Sequence, residues 1–147
     1  MNDLTEIVKT NATLDDFTNV MKAGIIGGDL EEVTLPLEHF HPHGLYGRKI
    51  FMPAGTILTS RVHNQQHLSV VLSGHCTVVD EKGNAHDIRA PMIWVTEPGT
   101  QRALHIHEDC IWLTVHATDL KEVEALEEAL TCPSMEEYEQ RFIEVQP

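Results

Sequence analysis

In RVHNQQHLSVVLSG, residues 61–74, two histidines stand four positions apart, and an arginine lies two positions before the first. Neutral imidazole is the commonest protein ligand for transition metals and the side chain that titrates nearest neutral pH. Guanidinium stays charged and meets carboxylate or phosphate through paired hydrogen bonds. His63 and His67 therefore point to metal ligation. Arg61, with Arg102 on a later segment, points to anion recognition. Ten histidines is a high content for 147 residues, and EHFHPHG adds His39, His41 and His43 at alternate positions. Those three would share a face in an extended segment and could complete a site with His63 and His67 or bind nickel or zinc. No G-x-S-x-G elbow or phosphate-binding loop occurs. Asp80, Glu81, Asp87 and Glu108 fall at predicted turns, away from any common centre.

The elements that must position these residues follow from periodicity. Residues 1–30 read as a helical N-terminal segment. Thr13 with Asp16 makes a cap, Leu14, Phe17, Val20 and Met21 share one face, and Gly24 can close the helix. Residues 31–118 read as a succession of short β-strands, rich in β-branched and aromatic residues and broken by Gly, Pro, Asn and Asp. No helix intervenes to make parallel crossovers, so the sheet should be mainly antiparallel. Lys82-Gly83-Asn84 and Glu108-Asp109 mark tight hairpins. Trp94 and Trp112, among alternating aliphatics, read as core. Residues 119–147 return to helical period. Asp119 with Glu122 predicts one cap and Ser134 with Glu137 a second. Leu120, Val123, Leu126 and Leu130 form one stripe, and Met135, Tyr138 and Phe142 another. Two such short helices need a barrel wall or a second copy to pack against.

Charge and cysteine content exclude several roles. The net charge is −13, and residues 119–147 carry nine acids against two bases. Such a field repels phosphate backbones and anionic lipid, so neither nucleic acid nor membrane is an expected partner. Cys76, Cys110 and Cys132 are widely spaced and odd in number, as in free thiols of a reducing compartment. The N-terminus lacks a signal-peptide pattern, and a cytoplasmic location is expected.

The spacing around His63 resembles the first motif of the cupin superfamily. Gly55, five residues, Arg61-Val62-His63, three residues, His67, six residues and Gly74 follow its register. Arg61 stands where that family has its first histidine, and His67 where it has a glutamate. In the second motif only Gly99 is in register. Pro91, Glu97, Arg102 and Ile106 hold the other positions, so Arg102 replaces the third histidine. The resemblance spans about residues 50–117. YGRKIFMPAGT, HLSVVLSG, EPGTQR and IWLTVH also look like small cupin proteins encoded by phages and prophages, a group without a settled activity.

The resemblance implies a mainly β fold: one jelly-roll barrel with a short N-terminal helix and two short C-terminal helices, assembled as a homodimer or larger oligomer. It turns Arg61, His63, His67 and Arg102 into the lumen, with Tyr46 and Arg48 at the mouth. A mononuclear metal centre needs three protein ligands, often two histidines and a carboxylate. His63 and His67 could bind a divalent metal (Zn, Ni, Mn or Fe) only with help from His41, His43 or His105, the last requiring a bulge to face inward. Two guanidiniums disfavour a dication and favour a small anionic molecule. Three readings result: an anion-binding cupin with a degenerate metal site, a metal-dependent isomerase or dioxygenase, and an interaction protein with a filled barrel.

Overall fold

The computed structural model describes residues 13–28 and 30–144. Residues 1–12 and 145–147 of the expected helical segments lie outside them. Helix α1 spans Leu14–Gly27. Strands follow at Leu37–Phe40 (β1), Leu45–Met52 (β2), Ile57–Thr59 (β3), Val62–His63 (β4), His67–Asp80 (β5), Ala85–Arg89 (β6), Met92–Thr96 (β7) and Arg102–Ala117 (β8). The chain closes with α2 at Val123–Leu130, β9 at Thr131–Cys132, α3 at Met135–Glu139 and a π-helical turn at Gln140–Glu144.

Every pairing is antiparallel. The main sheet runs β1-β2-β8-β5-β6, with β3 added to β8 and β7 to β5. Alternation along β2, β5 and β8 sends one set of side chains inward, where Met52, Val71, Val78, Leu104, Ile106 and Trp112 form the core. Trp94 packs edge-on against Trp112 with ring centroids 5.5 Å apart. The three cysteines are buried free thiols. Burial pushes the Cys76 thiol up to about 12, so it packs as a small apolar group.

One expected corner is not a corner. β8 passes straight through Glu108 and Asp109, and β5 runs through Gly74. The mismatch between these two long strands is taken up by register shifts around Ser73 and His75. Gly74 sits at φ +100, and a Cβ there would lie 2.6 Å from Cys110 Sγ and 2.7 Å from its Cα. The β5–β6 turn at Gly83 and the β7–β8 turn at Gly99 form as expected, each glycine at positive φ.

The flanking helices are tied to the barrel and to each other. Thr13 Oγ1 accepts from Asp16 N–H, and Leu14 and Phe17 bury against Val79 and Ala103. The helix passes Gly24 and ends at Gly28, which takes the left-handed conformation. Val20 stays exposed. Asp15 accepts from Gln101 Nε2 and from Met135 N–H, joining α1 to the start of α3. Ser134 caps α3 through Glu137 N–H, as expected. The expected Asp119–Glu122 cap is absent: α2 starts after Glu122 with no side-chain cap. Of its stripe only Leu126 and Leu130 are buried, against Tyr46. The region after 118 is not purely helical, because β9 pairs with β4 and lays the C-terminal segment across one end of the barrel.

Candidate functional site

At that end a column of aromatic rings crosses the inner wall. Tyr46 on β2 and His116 on β8 are direct cross-strand partners, with ring centroids 6.1 Å apart. His116 stacks on His67 of β5 at 4.2 Å and 30°, and His67 meets His63 of β4 at 4.5 Å and 52°. At the other end, His39 Nδ1 hydrogen-bonds the Tyr46 hydroxyl at 2.7 Å, and the His41 ring stacks on Tyr46 at 5.3 Å. α2 seals the column: Asn64 donates from its backbone to the Leu130 carbonyl and from its side chain to that of Ala129.

The three inner imidazoles are neutral. Burial holds His63 down at about 3, helped by its neighbours His67 and Arg102. Burial likewise holds His116 at about 4, helped by His67 and Arg48. His67 is lowered by burial, with the Gln65 carbonyl acting against it and Arg102 reinforcing it. His67 Nδ1 lies 3.0 Å from that carbonyl. A carbonyl only accepts, so Nδ1 carries the proton and Nε2 keeps its lone pair. Nε2 is buried without a partner, as are Nδ1 of His63 and Nδ1 of His116.

Unpartnered ring nitrogens are what a metal would use, so the fit can be tested. Imidazole binds metal in the plane of its ring. The His67 and His116 rings are inclined at 30° and the His63 and His67 rings at 52°. Among the described residues, no group of three or more His, Cys, Asp or Glu side chains is arranged to hold a metal. Two guanidiniums, Arg48 and Arg102, also bias the cluster against a cation. As arranged, the residues do not fit a metal centre.

Several expected site residues fall elsewhere. Arg61 does not enter the lumen. It is exposed, and its Nε donates to Thr131 Oγ1 at 2.7 Å, which the pairing of β9 with β4 brings beside it. Arg102 is half-buried on the inner face, donating from Nη2 to Thr96 Oγ1 at 2.9 Å. Arg48, also half-buried, extends inward beside Tyr46 and makes no ion pair among the described residues. Tyr46 is buried. His41 and His43 line a small surface depression beside Lys121, and Tyr46 and His116 stand between His41 and His67. These two cannot complete the inner set.

His105 cannot complete it either. It faces outward, because the bulges leave its parity unchanged, and its ring lies 4.6 Å from His107. His107 contacts His75 at 4.9 Å and hydrogen-bonds Thr77, and His75 binds Asp87 at 2.6 Å. These form a separate patch on the outer face. The third inner histidine is His116, which sequence reasoning missed. The signal was available: it lies four residues, two full periods, beyond Trp112 on the same strand.

An open cleft of about 330 Å3 lies against Arg102. Its apolar wall is Val78, Ile88, Met92 and Trp94, and the Arg102 guanidinium lies 5.7 Å from the Trp94 ring centre. Asp80 and Glu81, expected to lie away from the site, line the same cleft. Asp80 is the cross-strand partner of Arg102. Burial lowers the Arg102 pKa, and Glu81 and Asp80 oppose that.

With this geometry the solved structures can be compared. An ectoine synthase from P. lautus superposes with a TM-score of 0.56 at 16% identity, over 71% of this chain and 79% of that one. An uncharacterised protein with a double-stranded β-helix domain from Klebsiella pneumoniae gives 0.52 at 18% identity, over 61% and 82%. An RmlC-like cupin with a double-stranded β-helix from Methanocaldococcus jannaschii gives 0.50 at 15%, over 61% and 93%. This chain has the cupin fold. No family model matches it, and no curated protein does. In this cupin fold the inner face carries three neutral histidines and two arginines. Among the described residues no helix is long and apolar enough to cross a membrane.

Proposed function

We propose that this cupin-fold chain binds a small molecule in its barrel and anchors an anionic group of that molecule on Arg102. One observation carries the reading. Arg102 is a half-buried guanidinium that reaches the cleft with a single side-chain hydrogen bond, to Thr96, and no ion pair among the described residues. Withdrawing a guanidinium from water without a full set of acceptors is unfavourable, and a bound carboxylate or phosphate oxygen relieves it through charge-assisted hydrogen bonds. Trp94 supplies a flat apolar surface beside it, as small-molecule sites commonly do. Arg61 plays no part, since it is committed to Thr131 outside the lumen. The neutral imidazoles of His63, His67 and His116 offer further hydrogen-bonding atoms behind Arg102.

The test is a thermal-shift screen of phosphates, nucleotides and carboxylates on the wild type and on Arg102→Gln. A ligand of the expected class raises the melting temperature with concentration, and Arg102→Gln weakens it by about 2 kcal/mol. Stabilisation that survives unchanged in Arg102→Gln would overturn the assignment.

A further inference from the structure

We infer that the molecule held in the Arg102 cleft is a zwitterion, its anionic group on Arg102 and its cationic group on Glu81. The inference rests on the reading of Arg102 above and names the class of ligand.

The cleft has one guanidinium and three carboxylates, Asp80, Glu81 and Glu97, with His86 as the other titratable group. A simple anion would gain contact with Arg102 but enter a site whose carboxylates outnumber its guanidinium. A simple cation would meet the carboxylates but leave Arg102 as it is. A molecule carrying both charges matches both walls and desolvates neither alone.

The carboxylates differ in what they have left to offer. Asp80 is saturated: Oδ1 accepts from the backbone N–H groups of Lys82 and Asn84, both at 2.9 Å, and Oδ2 lies 3.0 Å from His86 Nε2. Glu97 holds Gln66 Nε2 through both oxygens, at 2.9 and 3.2 Å. Among the described residues Glu81 has only a long contact, 3.5 Å, from Gln101 N–H. It is therefore the carboxylate free to receive an ammonium. No carboxylate in the cleft approaches Arg102 closely enough to form an ion pair, and Arg102 and Glu81 both line the cleft.

Calorimetry on the intact chain tests this with matched probes: ω-amino acids from glycine through β-alanine to ε-aminocaproate, glycine betaine, and the carboxylates and amines of the same lengths. At least one zwitterion is expected to bind about tenfold more tightly than its carboxylate or its amine. In Glu81→Gln, a surface change, that zwitterion should fall to the affinity of the carboxylate, and Arg102→Gln should lose both. If a carboxylate binds wild type as well as its zwitterion, or Glu81→Gln keeps the preference, the zwitterion inference is overturned while Arg102 stands as an anion anchor. If amines alone bind, both readings fall; if no probe binds, the zwitterion inference is overturned and the phosphate and nucleotide arms of the thermal-shift screen decide the Arg102 reading.

Discussion

The imidazoles of His67 and His116 stack with ring centroids 4.2 Å apart, each keeping one buried nitrogen without a partner. Both charged at once would place like charges in contact, beside Arg48 and Arg102. The pair, with His63, is therefore a neutral device that acid should disrupt.

The sign of that disruption follows from linkage. All three folded-state pKa values lie below the ordinary 6.5, with His63 at about 3 and His116 at about 4. The unfolded chain takes up these protons first as pH falls. Stability is complete above 6.5 and is lost from there down towards the folded values. Each imidazole contributes a slope of up to about 1.4 kcal/mol per pH unit. Urea unfolding between pH 6.5 and about 5.5, where few carboxylates titrate, should show this slope. His116→Phe should make it shallower, and an unchanged slope would assign the acid sensitivity to other groups.

A metal titration separates this column from a ligand set. Tag-free protein given zinc and then desalted should retain less than one equivalent at the inner histidines, because no three donor groups among the described residues are arranged to hold one ion. Stoichiometric zinc that disappears in the His63→Ala/His67→Ala double variant would show that the rings rearrange into a metal centre.

Gly74 leaves no room for a side chain against β8. Gly74→Ala would force a methyl group into Cys110 at a positive φ. A loss of about 3 kcal/mol or more is expected by chemical denaturation. A loss under about 1 kcal/mol would show that β8 can give way there.

The outer face of β5 and β7 exposes Leu68, Leu72, Ile93 and Val95, with Ile93 66% accessible. Leu113 and Val115 continue it across β8 by register. None of these six positions carries a charge, in a chain of net −13. A second copy of the same surface is the partner proposed, since a two-fold contact pairs like with like. Light scattering should give a dimer for wild type and a monomer for Ile93→Lys/Val95→Lys. A wild-type monomer at micromolar concentration would refute it.

Much of the architecture was legible in the chain. Alternation over residues 31–118 reflects local sterics and one-sided burial, so a mainly antiparallel β domain could be read without a partner strand in view, and the motif resemblance implied its barrel form. The caps at Thr13 and Ser134 and the turns at Gly83 and Gly99 depend only on neighbours within a few residues. The strand parity of Tyr46, His67 and Trp112 was equally local. His105 could be read as facing outward unless a bulge intervened.

Tertiary structure decided the site. Whether Gly74 ends a strand or bends one depends on β8 crossing behind it, a contact between residues far apart in sequence. Arg61 meets Thr131 outside the lumen because β9, some seventy positions later, pairs with β4, and no local pattern encodes that partner. His116 joins His67 only once β8 lies beside β5. Asp80 and Glu81, ordinary turn residues in the sequence, come to line the Arg102 cleft by the same pairing. Local sterics and periodicity determine which way a side chain points, whereas the charges and lone pairs it meets are set by long-range strand pairing.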